Sequence, residues 1–225
     1  MAGKVAELFQ IYFKEEQLAT LYPFATPHYN PNLTVFFENS VIRQLVLKSE
    51  AQKIGVASYA LRQKINNGIP MRQEFTEEVI NSEYDVLSFT RKMPDHFMLA
   101  KMDNWHPGSL DTLNMIFAEI GKPTFENRRQ PKTPIYQNHF MASSHLYKEY
   151  VMTMLIPAMT VMEEHPEIRK RCYEDSQYYK LKTDPGYPAL IKRQLNMDYV
   201  PLHTFLCERM FSCFIDDKKL NIKYL

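Results

Sequence analysis

Apolar and polar residues alternate along some stretches of the chain and recur every three to four residues along others, which predicts strands interleaved with helices. Residues 5–13 alternate in this way and predict a buried first strand. Residues 41–49 carry an apolar helical stripe and follow Ser40, a good N-cap residue. A second strand is predicted at residues 53–59, and a strand, a helix and a strand within about fifty residues are typical of a parallel βαβ unit.

The second half of the chain predicts further elements of both kinds. Residues 83–89 predict a strand, and residues 110–120 predict a helix that ends at Gly121. Pro201 then precedes the run at residues 202–215, which is apolar on nearly all sides. A helix with no polar face belongs in the interior, so this run predicts a buried C-terminal helix.

A polar corner interrupts the apolar stretch that begins at Ile135. Asn138 and His139 lie between this stretch and a long helix predicted to start at Ser143 or Ser144. A strand and a helix that hold Asn and His side chains at a corner can form a binding site, but the same residues can also satisfy backbone groups in a turn. The helix contains a proline, which is expected to kink or split it, and one stripe predicts its core face: Leu146, Tyr150, Met154, Ala158 and Met162.

Composition limits the class of protein. The chain has 225 residues, 45% of them hydrophobic, which predicts one domain with a sizeable core over residues 1–225. A net charge of +1 argues against a strongly electrostatic nucleic-acid binder, although it leaves room for a local basic patch. The 3 cysteines form no CxxC pair, and no apolar run is long enough to span a membrane, so we expect a soluble cytoplasmic protein.

One ion pair stands out inside the predicted C-terminal helix. Glu208 and Arg209 are adjacent charged residues in a run that is otherwise apolar. Buried charges are costly unless they pair or face a polar cavity. The pair therefore either ties the helix to a loop or places a carboxylate and a guanidinium at a site.

Motifs for metals and nucleotides are sparse. Asp95 and Asp103 lie in an irregular segment with other ligand-type residues, but without HExxH spacing. The sequence lacks GxGxxG, the P-loop and GxSxG, which argues against a dinucleotide, P-loop or serine-elbow enzyme. Arg128 and Lys132 belong to a charged loop that either reaches a phosphate or is simply solvated.

Three blocks of the sequence resemble a bacterial and phage group of glycosyltransferase-like proteins related to capsular-polysaccharide transferases. The block at residues 53–62, KIGVASYALR, is similar to a strand and its exit in that family, with Ser58 where a His is usual. Residues 84–87 are similar to a second family strand. Residues 136–142 and 205–211 resemble a strand–helix pair and the helix that closes the family's domain.

This resemblance implies a fold and an activity. The fold would be α/β, a single Rossmann-like, GT-A-like αβα sandwich with a mostly parallel central sheet and a buried C-terminal helix. The activity would be transfer of a sugar from a nucleotide-sugar donor to a hydroxyl acceptor, which could be a glycan, a lipid-linked sugar or a hydroxylated nucleobase. A clear DxD motif is absent from the sequence. Mn²⁺ or Mg²⁺ would then be held by a degenerate site at Asp85, Asp95 or Asp103, or replaced by basic side chains, or the protein would be inactive.

The resemblance also suggests roles for individual residues. Glu208 or Asp85 would act as the base that deprotonates the acceptor hydroxyl. Residues with polar or cationic side chains would bind the donor, its diphosphate and the hydroxyl groups: Ser58, Arg62, Arg128, Asn138, His139 and Arg209. The alternative is a non-catalytic glycosyltransferase-like module that binds a sugar, a nucleotide or a protein partner.

Overall fold

A computed structural model describes residues 5–61, 81–89, 102–126, 135, 138–177 and 186–224. The described strands form one sheet in the order β2-β1-β3-β5-β4-β6. Their bounds are β1 Ala6–Tyr12, β2 Thr26–Tyr29, β3 Lys53–Ser58, β4 Val86–Ser88, β5 Phe140–Ser143 and β6 Ile222–Tyr224. The described chain is therefore an α/β protein with a six-stranded sheet.

The sheet is mixed, so the prediction of a mostly parallel sheet is wrong. Strand β1 runs parallel to β2 and β3, and β4 runs parallel to β6. Strand β5 is antiparallel to both of its neighbours, β3 and β4. The chain reaches the start of β5 at the edge where β3 and β4 end, so β5 can only run back through the sheet.

The helices of the described chain fall between and after these strands. Their bounds are α1 Asn39–Lys48, α2 Ser109–Glu119, α3 Ser144–Tyr150, α4 Ile156–Glu164, α5 Pro166–Cys172, α6 Gly186–Leu195 and α7 His203–Lys218. A 3₁₀ helix spans Glu15–Thr20. Helix α1 links β2 to β3, and both strands pair in parallel with β1, so the predicted parallel strand–helix–strand arrangement is confirmed with one additional strand, β2.

Several predicted boundaries shift by a few residues. Helix α1 starts at Asn39, so Ser40 lies within its first turn and donates to the carbonyl of Phe37 instead of capping the helix. Pro157 does not split the long helix, because a π-helical segment, Val151–Leu155, joins α3 to α4. Proline lacks the amide hydrogen that an α-helix needs, and a π segment before it is one way to absorb that loss.

The two faces of the sheet bury different clusters. The larger one joins β3 residues such as Ile54 and Val56 to the apolar sides of α1, α2, α3, α4 and α7. The smaller one, on the opposite face, joins Leu8 and Met141 to Tyr22 in the loop after β1. The predicted core stripe of the long helix is buried throughout, as is most of α7, so both predictions are confirmed.

Candidate functional site

The carboxyl ends of β1, β2 and β3 lie at one edge of the sheet, because these strands are parallel. Strand β1 is flanked by β2 on one side and β3 on the other, so the chain moves from β1 to β2 and then passes back over β1 to reach β3. Open α/β sheets bind ligands outside the carboxyl ends of the strands at such a switch point. We call this the carboxyl edge. Strand β5 begins there, since it is antiparallel to β3.

Ser58 and His139 meet at the carboxyl edge. The hydroxyl of Ser58, the last residue of β3, lies 3.2 Å from Nε2 of His139. Ser58 is half-buried, whereas His139 is only 1% exposed. The backbone of His139 is fixed by the amide of Phe89, which donates to its carbonyl oxygen at 2.9 Å. The imidazole is therefore enclosed, whereas Ser58 keeps part of its surface in contact with solvent.

A buried glutamine on β1 fixes the backbone next to the Ser58–His139 contact. Gln10 is fully buried, and its Nε2 donates to the carbonyl oxygen of Ser58 at 3.3 Å. Its Oε1 accepts the backbone amide of Tyr22 at 2.6 Å, which anchors the loop after β1. In the sequence alone, Gln10 is only a polar position in an alternating strand. A lone amide side chain between apolar neighbours in a buried strand is the signal for this role.

Aromatic rings follow the strands at the carboxyl edge. Tyr12 and Tyr29 end β1 and β2, and their ring centroids are 5.2 Å apart. Phe13 and Tyr59 lie just beyond β1 and β3, with centroids 5.3 Å apart in an edge-to-face arrangement. Tyr29 is 51% exposed. Each strand end carries its aromatic residue in the sequence, but only the sheet order places these rings side by side.

Asn138 is built into a hydrogen-bond chain between helices. Its Nδ2 donates to Oδ1 of Asn39 at 3.2 Å, and Nδ2 of Asn39 donates to the hydroxyl of Thr204 at 3.3 Å. Asn138 is 4% exposed and Asn39 is 1% exposed. These hydrogen bonds connect Asn138, the residue before His139, to the first turns of α1 and α7. The Asn138 side chain therefore forms a buried structural hydrogen bond and is not open to a ligand from solvent.

Helix α7 reaches the same corner at a second point. Ser212 bonds to the backbone of Ile135, which precedes β5. Thr204 and Ser212 lie on one face of α7, and Glu208 lies between them, one turn from each. Glu208 pairs with Arg209, whose Nη1 is 3.3 Å from Oε2, and their side chains are 14% and 3% exposed. Glu208 therefore lies on the face of α7 that carries the hydrogen bonds of Thr204 and Ser212.

The electrostatics around Arg209 are set by burial. His106 stacks on Phe205, one turn before Arg209, with ring centroids 3.9 Å apart. Burial lowers the pKa of His106, and Arg209 lowers it further, while a hydrogen bond to the carbonyl oxygen of Ser176 opposes the change. The guanidinium of Arg209 therefore helps to keep that imidazole neutral, and its own charge is balanced by Glu208.

Asp85 does not join this site. Its side chain accepts the amide of Asn221 at 2.8 Å, and its carbonyl accepts the amide of Ser143. Asp85 is thus level with Ser143 on β5, four residues from His139, which corresponds to about 13 Å along a strand. Asp85 lies at the amino end of β4, the opposite edge of the sheet from Ser58, so it cannot share a base role with that corner.

The metal expected from the resemblance does not fit the described carboxylates. Asp103 is exposed and caps α2, since its Oδ1 accepts the amide of Leu110 at 3.0 Å. Within the described ranges, no group of three or more His, Cys, Asp or Glu residues could hold a metal ion. Asp95, Arg62 and Arg128 lie outside the described residues, so the geometry of the described chain assigns them no role.

A cavity of about 370 Å³ lies near the amino end of β1, away from the carboxyl edge. Its lining includes Glu7, Phe9, Lys48 and Glu50. The carboxylate of Glu7 accepts hydroxyl hydrogen bonds from Ser49 at 2.9 Å and from Thr26 at 3.3 Å. We favour the carboxyl edge as the site, because the sheet topology, the Ser58–His139 contact and the aromatic rings coincide there.

Comparison with known proteins adds no assignment to this geometry. In the described part of the chain, no helix is long and apolar enough to cross a bilayer. No family model, curated protein or solved structure matches the sequence.

Proposed function

We propose that this protein transfers a sugar from a nucleotide-sugar donor to a hydroxyl acceptor, with both bound at the carboxyl edge. The observation that carries the proposal is the contact between Ser58 and His139 at the switch point beside β1. The block that resembles a glycosyltransferase strand and its exit, residues 53–62, contains the whole of β3 and therefore Ser58. A mixed α/β sheet is compatible with the Rossmann-like, GT-A-like arrangement that the resemblance implies.

The aromatic rings give the nucleotide a place to bind. A nucleobase has a flat face that stacks on aromatic side chains, and each stacked base is typically worth about 1–3 kcal/mol. Tyr29 is the most exposed ring at the edge, and Tyr12 lies beside it. We assign the base to this pair, which would leave the sugar next to Ser58 on β3, the neighbouring strand of β1.

The remaining groups of a transfer reaction are assigned to basic and acidic side chains. Arg209 would stabilise the diphosphate as it leaves, together with Arg62 and Arg128 from outside the described residues. Glu208 would accept the proton of the acceptor hydroxyl. Its Oε2 lies 3.3 Å from Nη1 of Arg209, so the two groups assigned to these roles are adjacent. No step is assigned to Mn²⁺ or Mg²⁺.

Thermal shift against UDP-, GDP- and CMP-sugars, with and without Mn²⁺, tests this proposal. We expect one class of nucleotide-sugar to raise the melting temperature, and Tyr29→Ala to weaken its affinity by about tenfold or more through the lost stacking. Tyr84→Ala is the matched control, because Tyr84 is also an exposed tyrosine but precedes β4 at the opposite edge. A melting temperature that none of the three classes of donor changes would contradict the proposed transferase activity.

The second candidate is a binding module without catalysis. The observation that favours it is the Glu208–Arg209 pair, which is mutually neutralised and largely buried and so resembles a structural ion pair. Binding of a nucleotide-sugar with neither hydrolysis nor transfer over many hours would support this module. Release of free nucleoside diphosphate that Glu208→Gln abolishes would support the transferase.

A further inference from the structure

We propose that Ser58 is a nucleophile activated by His139, so that the sugar passes through a covalent glycosyl–Ser58 intermediate and keeps its anomeric configuration. This inference rests on the proposed function, since it specifies how the same site would act on its donor. It goes beyond that function in naming the attacking atom, its base and the stereochemical outcome. Nothing in the resemblance assigns a serine nucleophile to this position.

The distance between the two groups suits this role. The hydroxyl of Ser58 is 3.2 Å from Nε2 of His139, within the reach expected of a nucleophile and its base. In the tautomer with its proton on Nδ1, Nε2 accepts the hydrogen bond from the hydroxyl. Because His139 is 1% exposed and Ser58 is half-buried, a donor that enters from solvent reaches Ser58 before His139.

The backbone on both sides of the pair is fixed, which keeps the hydroxyl in place. The carbonyl of Ser58 accepts from Gln10, and the amide of Tyr59 donates to the carbonyl of Ile11 at 2.8 Å. The backbone of His139 accepts a hydrogen bond from the amide of Phe89, and the preceding residue, Asn138, is fixed by its buried hydrogen bond to Asn39. A site built on strand ends with locked neighbours needs little reorganisation to react.

The reaction would proceed in two balanced displacements. First, the Ser58 oxygen bonds to the anomeric carbon, the bond from that carbon to the phosphate oxygen of the leaving nucleotide breaks, and the hydroxyl proton passes to Nε2 of His139. Then the acceptor oxygen bonds to the anomeric carbon, the bond to Ser58 breaks, the acceptor proton passes to Glu208, and the Nε2 proton returns to the Ser58 oxygen. Two inversions give net retention, and the carboxyl proton of Glu208 leaves with solvent.

Labelling with a fluorophosphonate probe tests the nucleophile without any donor. In this reaction the phosphorus–fluorine bond breaks, an oxygen–phosphorus bond forms at the serine, and the hydroxyl proton leaves through His139 with fluoride. Peptide mapping is expected to find the probe on Ser58 and not on Ser144, which is also half-buried. Ser58→Ala should abolish labelling, and His139→Gln should slow it by about 10²-fold or more. An unlabelled Ser58, or equal rates in wild type and a folded His139→Gln, would overturn the inference.

Acid quenching of the wild-type protein with UDP-glucose, GDP-mannose or CMP-N-acetylneuraminate covers the case in which His139→Gln fails to fold. We expect one donor to add the mass of one sugar residue at Ser58 and to give a product of unchanged anomeric configuration. Donor binding with an inverted product and no adduct would overturn the Ser58 mechanism but leave the transferase intact. A labelled Ser58 with no binding of any donor would overturn the glycosyl intermediate together with the proposed function.

Discussion

The hydroxyl of Ser212 accepts the backbone amide of Ile135 at 2.8 Å and donates to the carbonyl oxygen of the same residue at 3.3 Å. Both residues are buried. This reciprocal pair joins the middle of α7 to the segment that leads into β5. Five residues later, Phe140 stacks on Phe211 of the same helix, with ring centroids 3.8 Å apart. The position of the carboxyl-edge corner therefore depends on α7.

Replacing Ser212 tests that dependence. Ser212→Ala leaves the buried amide of Ile135 without its acceptor, so we expect the free energy of unfolding to fall by about 1–3 kcal/mol. Urea denaturation followed by circular dichroism measures the change. Ser176→Ala is the matched control, because the hydroxyl of Ser176 is also buried but has no hydrogen-bond partner among the described residues. Equal losses in the two variants would contradict a specific role for Ser212.

Asn138 is expected to matter for stability before it matters for chemistry. Asn138→Ala removes the donor to Oδ1 of Asn39 and leaves a buried acceptor unsatisfied, at a cost of about 1–3 kcal/mol. A double-mutant cycle with Asn39→Ala should give a coupling of about 0.5–3 kcal/mol, because the residues share one bond. Strictly additive losses, or a stable Asn138→Ala without any change in unfolding, would show that this bond does not hold the corner.

Gly55 in β3 leaves room for side chains of the two adjacent strands, β1 and β5. A Cβ on Gly55 would lie 2.5 Å from Cγ of Met141 and 3.0 Å from Cδ1 of Leu8. Gly55→Ala should therefore destabilise the fold by about 1–3 kcal/mol, as overpacked cores do. In a Met141→Ala background the same substitution should cost less, since the closest atom is gone. Thermal unfolding of the four proteins compares the two costs, and an equal cost in both backgrounds would rule out this steric cause.

His203 makes stability depend on acidity. Burial lowers its pKa from 6.5 to about 3, with Arg169 as a smaller cause, although Glu163 lies 3.0 Å from Nε2. Burial prevails because the imidazole is fully enclosed while Glu163 is 35% exposed, so the neutral ring donates to the carboxylate. The unfolded chain then takes up a proton below pH 6.5 that the folded chain refuses until about pH 3.

The contribution of His203 is therefore complete above pH 6.5 and is lost as the pH falls towards 3, by at most about 1.4 kcal/mol per pH unit. His203→Gln keeps a donor for Glu163 but does not titrate, so it should flatten the stability profile in this window. His28 and His106 have lowered pKa values as well, so some slope remains. His145→Gln, at an exposed histidine, is the control. A profile unchanged by His203→Gln contradicts the assignment.

Much of the fold can be predicted from periodicity. Strand β1, the βαβ unit, the stripe of the long helix and the buried α7 all follow from the spacing of apolar residues, because each of these elements buries one face against a single core. The direction of β5 cannot be predicted in this way, since a short apolar strand has the same pattern whichever way it runs. Only its partners on β3 and β4 decide its direction.

The candidate site is only partly visible in the sequence. Asn138, His139 and Glu208 stand out because they interrupt apolar runs. The structure links Asn138 through Asn39 to Thr204, which lies one helical turn before Glu208 on α7. Gln10 appears in the sequence only as a lone polar residue in an apolar strand. Its partners, 12 and 48 residues away in the chain, cannot be predicted from that pattern. The position of Asp85 at the amino end of β4, away from Ser58, could not be predicted either, because a strand pattern does not say which end of the strand faces the site.

Hydrogen–deuterium exchange with a bound donor tests the location of the site most directly. With whichever of UDP-glucose, GDP-mannose or CMP-N-acetylneuraminate stabilises the protein, we expect slower exchange in peptides that end β1, β2 and β3, around Tyr12, Tyr29 and Ser58. Peptides around Glu7 and Glu50, which line the cavity near the amino end of β1, should be unchanged. Protection at that cavity instead, or no protection with any of the three donors, would contradict a nucleotide-sugar site at the carboxyl edge.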